Sequence, residues 1–306
     1  LREEPWAEGP ACAWASLVSV ASPAGGALLL QESHKCPNQP GHCCGAFHRY
    51  PGQLAGSGWG FSGEEHDGER FLPAWAWWTV VHDGSPRGAQ RALKRLDAVR
   101  FPRRESDRAV QSNTWGSGRD RDAADQGSVL AEIAACARTG IERLQIDDGR
   151  HLPAVDHRGW HPRAGHGWYP DQGRHPGGWA RVREAAAAAG VELAVWAAAQ
   201  PIAATELVDL ARGLGARAAK LDFAVLDAKA AIDGLMAKVR GAIQAVGHRL
   251  RVNWDVTENA PRVGYWFGRE YGSVYLANRK PRRPESVIYR PWLVLRDLWQ
   301  LARWCD

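Results

Sequence analysis

Short alternating apolar stretches open the chain: "AWASLVSV", "GALLLQES" and "AWAWWTVVHDG", separated by Gly- and Pro-rich turns. Period-2 alternation broken by such turns predicts half-buried strands. A single amphipathic helix is expected at "PRGAQRALKRLDAV". From Ser112 the pattern changes to short apolar runs alternating with helix-period segments, the signature of repeated β-α units around a parallel sheet. Strands are expected at 109–115, 141–147, 191–198, 217–223, 249–255 and 273–279. Helices are expected at 123–139, 177–189, 204–213, 227–246 and 291–304. The chain thus divides into an all-β part with a connecting helix, 1–107, and an α/β part, 108–306.

Each expected strand of the second part ends in polar residues: Asn113 and Trp115, Asp147 and Asp148, Trp196 to Gln200, Lys220 and Asp222, Asn253 and Asp255, Asn278 and Arg279. A TIM-type (β/α)8 barrel assembles its site from the C-terminal ends of its strands, where these residues fall. A doubly wound sheet would carry a Gly-rich phosphate turn after its first strand, and "NTWGSGRDRD" lacks the GxGxxG spacing. A whole barrel takes about 250 residues, so 108–306 reads as an incomplete barrel, strands 1 to about 6. Continuation beyond Asp306 is expected.

Composition narrows the partners. The 306 residues are 45% hydrophobic, enough for a substantial core. The net charge of +5 comes mostly from arginines dispersed beside Glu and Asp, not from the basic clusters of a nucleic-acid binder. The apolar run "ACAWASLVSVASPAGGALLLQ" is broken by serines, a proline and paired glycines, so no membrane span is expected. Leu1 stands first, which leaves the compartment, cytoplasmic or secreted, unassigned. Six cysteines show no disulfide framework. "SHKCPNQPGHCCGAFH" could offer zinc ligands, but only one arm has short paired spacing. It reads as a loop, and neither metal nor cofactor is expected.

Several tryptophans (Trp59, Trp115, Trp160, Trp168, Trp254, Trp266) lie beside Gly, Pro, His or Asp rather than in apolar runs. An indole can cover the apolar face of a sugar ring, so carbohydrate is the expected ligand class. At "RLQIDDGRH", Asp147 is expected over the barrel mouth, and Gly149 releases the chain so that Asp148 turns to the same cavity. Paired carboxylates suit polyol hydroxyls. In "AAKLDFAVLD", Lys220 and Asp222 share a strand face, and a neighbouring ammonium favours an ionised carboxylate fit for a nucleophile. The partner acid/base is expected at Asp255, beside Trp254, with Glu258 and Glu270 as alternatives. Trp196, Asn253 and Arg262 join the substrate-binding candidates.

With these residues laid out, the chain resembles the clan D α-galactosidases (melibiases), particularly family 36 of the glycoside hydrolases. "VQSNTWGS" is similar to that family's first barrel strand, "LQIDDGR" to its Asp-Asp-Gly-Trp motif, and "AKLDF" to its Lys-Trp-Asp nucleophile motif. "GWHPRAGHGWYPDQGRHPGGWARVREAAAAAGVELAVW" resembles its tryptophan loop, helix start and third strand. The resemblance implies an N-terminal β-supersandwich before the barrel and a metal-free retaining α-glycosidase acting on terminal α-galactosides. It implies Asp222 as nucleophile, Lys220 as hydroxyl donor, Asp147 and Asp148 as hydroxyl acceptors, and Trp115 and Trp160 as walls of the same subsite. Arg150 replaces the motif's tryptophan, "VWAAAQP" lacks an acidic residue, and the Gly-rich stretch before the family's acid/base aspartate is absent. Another α-linked sugar (N-acetylgalactosamine, arabinopyranose) and a non-catalytic carbohydrate-binding homologue or inactive fragment stand as alternatives. Self-association is left open.

Overall fold

The computed structural model describes residues 9–10, 17–31, 47–56, 77–102, 104–116, 118–150, 168–224, 229–255 and 272–275. Strands β1 (Gly9–Pro10), β2 (Leu17–Ser22), β3 (Gly25–Gln31), β4 (Phe47–Tyr50), β5 (Gln53–Gly56) and β6 (Trp77–His82) form two three-stranded antiparallel sheets, ordered β1-β4-β5 and β2-β3-β6. The β2–β3 hairpin closes over Pro23 and Ala24, where the Ser22 hydroxyl accepts the Ala24 N–H and donates to the Gly25 carbonyl. Alternation buries Leu28 and Leu30 on one face of β3. Helix α1 (Pro86–Arg100) covers that face with Ala89 and Leu93. Pro86 at its first turn and the Ser85 cap, accepting from Gly88 N at 2.9 Å, start the helix where the sequence pattern placed it.

The α/β part follows: β7 (Gln111–Asn113), α2 (Gln126–Thr139), β8 (Arg143–Ile146), α3 (Ala180–Ala189), β9 (Glu192–Ala198), α4 (Ala204–Leu214), β10 (Ala218–Asp222), α5 (Lys229–Ala245), β11 (Arg251–Asp255) and β12 (Gly272–Tyr275). All six strands are parallel, and each pairs with the strand before it, giving the order β7-β8-β9-β10-β11-β12. A doubly wound sheet would reverse this order at a switch point; among the described strands there is no reversal. Strands covered on both faces should be almost wholly apolar, and β9 is buried over six of its seven residues. The core runs through Leu144, Ile146, Val195 and Leu221 to Val129, Ile133, Leu207 and Val239 of the helices.

Of the boundaries that depart from the sequence pattern, two have a visible local cause. The strand expected at 109–115 pairs only over Gln111–Asn113, because the Asn113 carboxamide oxygen accepts the Trp115 N–H at 3.2 Å and curls the chain away from the sheet. Helix α3 starts at Ala180 rather than 177, because Gly177 and Gly178 adopt positive φ and form a turn ahead of it. The helix expected at 291–304 and the Cys/His segment at 34–48 fall outside the described residues, except that Phe47 and His48 belong to β4. Among the described residues no helix is long and apolar enough to cross a membrane, and no group of His, Cys, Asp and Glu is arranged to hold a metal.

Candidate active site

The site lies where β8 and β10 end. Asp147 follows the last residue of β8, and Asp222 is the last residue of β10. Lys220, two residues before Asp222, places its Nζ 3.4 Å from Asp147 Oδ2 and 3.5 Å from Asp222 Oδ2. Both contacts share one nitrogen, so the two carboxylate oxygens lie within about 7 Å of each other. Residues 75 positions apart in sequence thus flank one ammonium. A shared cation offsets the repulsion of two poorly solvated carboxylates, which could not stand side by side without it.

Each carboxylate is also held by neutral donors. The Trp196 indole N–H donates to Asp222 Oδ2 at 3.0 Å, and the Phe223 backbone N–H to Oδ1 at 2.8 Å. The Ala199 N–H reaches the Asp222 carbonyl at 2.7 Å, and the Lys238 ammonium holds the Ala199 and Gln200 carbonyls at 2.8 Å each. On the other side, Gln145 Nε2 donates to Asp147 Oδ2 at 2.8 Å, and Gln111 Nε2 donates to Gln145 Oε1 at 3.0 Å. One polar network therefore crosses β7, β8, β9 and β10. Trp196, a candidate for sugar contact by sequence, is buried; it packs on Trp168 at 5.7 Å and serves the nucleophile candidate directly.

Asp148 has a different environment from Asp147. Its Oδ2 accepts from Arg121 Nε at 2.7 Å, from the 3-10 helix Asp120–Ala124 between β7 and α2. Burial pushes its carboxyl above the usual carboxylate range, and Arg121 opposes that rise. Between Asp148 and Arg150, Gly149 adopts φ +112°, and a Cβ there would stand 2.4 Å from the Arg121 carbonyl oxygen. Only glycine lets the two segments come so close. Arg150, in place of the expected tryptophan, is fully buried; Nη1 donates to the Asp147 carbonyl at 3.3 Å, and burial lowers its pKa to about 10 against the pull of Asp148 and Asp147.

Other candidates fall at the rim or beyond it. Trp115 is half-buried in the turn after β7. Asn253 is half-buried and in register with Lys220 on the neighbouring strand. Asp255 is the last residue of β11; the register pairs Leu221 with Trp254, so the backbone brings Asp222 and Asp255 to adjacent strand ends. Trp160, Glu258, Arg262 and Glu270 lie outside the described residues. Four contributors escaped the sequence reading: Gln111, Gln145, Arg121 and Phe223. Gln145 had a signal, being a polar residue two before Asp147 and hence on its face of the strand.

No family model matches this sequence. No curated protein matches it either. Solved structures do. The family 36 α-galactosidase AgaA from Geobacillus stearothermophilus, in complex with 1-deoxygalactonojirimycin, superposes with a TM-score of 0.53 at 10% identity, over 90% of this chain and 49% of that one. A second AgaA structure gives 0.51 at 10% identity, over 71% and 42%. This chain has their fold. The α-galactosidase of Thermus thermophilus, in complex with stachyose, is similar at a TM-score of 0.49 and 17% identity, over 78% of this chain and 55% of that one. The chain spans about half the length of these structures.

Proposed function

We propose that this chain is the core of a retaining α-glycosidase acting on terminal α-galactosides. The observation that carries the reading is the Lys220 ammonium set between Asp147 and Asp222 at the ends of two parallel strands, in a chain with the fold of family 36 α-galactosidases. On this reading the six parallel strands are part of a (β/α)8 barrel wall beginning near residue 108, and the antiparallel sheets before it are part of a supersandwich. Asp222 attacks the anomeric carbon, Asp255 protonates the departing glycosidic oxygen, and a covalent glycosyl ester forms. Asp255 then deprotonates a water that hydrolyses the ester, giving net retention. Lys220 donates to a sugar hydroxyl; Asp147 and Asp148 accept hydroxyls, with Asp148 also anchored by Arg121; Trp115, Trp160, Asn253 and Arg262 line the remainder. The chemistry requires neither metal nor cofactor.

The test is hydrolysis of p-nitrophenyl α-galactoside. Wild type is expected to release nitrophenol, and Asp222→Ala to release none. A 2-deoxy-2-fluoro galactosyl fluoride should leave its label on the peptide carrying Asp222. Asp255→Ala is expected to regain turnover with azide and to yield the azide of retained configuration. A label on another residue, or no turnover of any α-glycoside by the wild type, overturns the proposal.

A further inference from the structure

We infer that Phe223 is a positioning residue for the Asp222 carboxylate; the inference rests on the glycosidase reading above. Phe223 directly follows β10 and has φ +54°, in the left-handed region. The other two non-glycine residues at positive φ among those described are Asp120 and His248, types that tolerate this region far better than a bulky aromatic does. Glycine would take this conformation without strain. A phenylalanine kept there implies that its ring is needed.

The ring has a definite partner. It stands edge-on to Trp196, with centroids 6.3 Å apart and planes at 83°, a favourable aromatic arrangement. Trp196 in turn holds Asp222 Oδ2, while the Phe223 N–H holds Oδ1. The two aromatic residues therefore grip both oxygens of one carboxylate and brace each other. A nucleophile gains from such a grip, because an oxygen fixed in line with the anomeric carbon loses no freedom in the transition state. Backbone strain at a reacting group persists only where packing enforces it, and here the ring contact supplies the enforcement.

The test compares Phe223→Gly, Phe223→Leu and Phe223→Tyr with wild type. Four quantities are measured: thermal unfolding, kcat and KM on the nitrophenyl galactoside, the acid limb of the pH profile, and the Asp222 titration by carboxyl ¹³C NMR, assigned with Asp222→Asn. Phe223→Gly relieves the strain but also forfeits the ring packing that enforces it, so it is expected to unfold somewhat earlier than wild type while still folding. Its kcat should fall about tenfold or more with KM changed less than about threefold. Its acid limb and Asp222 midpoint should both move to higher pH, because a looser N–H contact stabilises the ionised carboxylate less. Phe223→Tyr keeps the ring and should recover most of kcat. Should Phe223→Gly fail to fold, Phe223→Leu keeps apolar bulk without the edge-on ring and is expected to show the same midpoint shift. An unchanged midpoint in the folded variants, or kcat retained by Phe223→Gly, overturns the inference. A wild type inactive on every α-glycoside defeats the glycosidase reading instead, and the NMR titration still judges Phe223.

Discussion

The indole N–H of Trp196 reaches Asp222 Oδ2 across one strand spacing, at 3.0 Å. Parallel pairing of β9 with β10 puts Trp196 beside Lys220, two residues before Asp222, so both donors approach the same oxygen from neighbouring strands. Hydrogen bonds to charged groups contribute about 1.5–3 kcal/mol. On the proposed glycosidase reading, Trp196→Phe, which keeps the packing on Trp168 and removes the donor, is expected to lower kcat about tenfold or more with little change in KM. Steady-state kinetics on the nitrophenyl galactoside check this.

Removing the shared cation should cost stability. Lys220→Met leaves Asp147 and Asp222, both buried, facing each other without a counter-charge. Breaking a buried pair from one side costs about 3–5 kcal/mol. Urea denaturation of variant and wild type measures the loss.

Gly149→Ala combines a left-handed φ with a Cβ driven to within 2.4 Å of backbone at Arg121. The expected loss is about 3 kcal/mol or more, from strain plus displacement of the short helix that carries Arg121. Denaturant midpoints report the loss. Galactose affinity should fall with it if the Asp147–Asp148 turn binds sugar.

Asp148 gives a pH signature of opposite sign to that of an ordinary ion-paired carboxylate. Its folded-state pKa is raised by burial, with Arg121 opposing, so between the unfolded and folded values the native state binds more protons. Stability from this group is thus fully present below the unfolded value and is lost as pH rises through the folded one. Asp148→Asn should flatten that decline, and Arg121→Met should steepen it. Chemical denaturation from pH 4 to 7 distinguishes the three proteins.

The helices and inner strands were legible because burial on both faces demands apolar runs, and the run in β9 is the clearest. Lys220, Asp222 and Asp147 were legible for a related reason: charged residues at the ends of such runs have little to do but face the strand-end cavity. Arg121 was not legible. It acts from a short 3-10 helix, Asp120–Ala124, and its place against Asp148 depends on how that helix meets the turn after β8, which no local period encodes. Phe223 was hidden too, since nothing in "KLDFA" announces a left-handed residue. The sequence pattern alone puts Trp196 among sugar contacts, and its donation to Asp222 follows only from the register between β9 and β10.

The unbroken succession of strand partners has a consequence for how the protein is made. As the nascent chain emerges, each new βα unit finds its docking edge already present in the unit just completed, so assembly can advance from the N-terminal side without waiting for distant segments. Asp147 is then in place well before Lys220 and Asp222 are synthesised, and the network closes only when β10 docks against β9. Ribosome stalling before residue 222 would therefore leave Asp147 without the carboxylate that shares its cation.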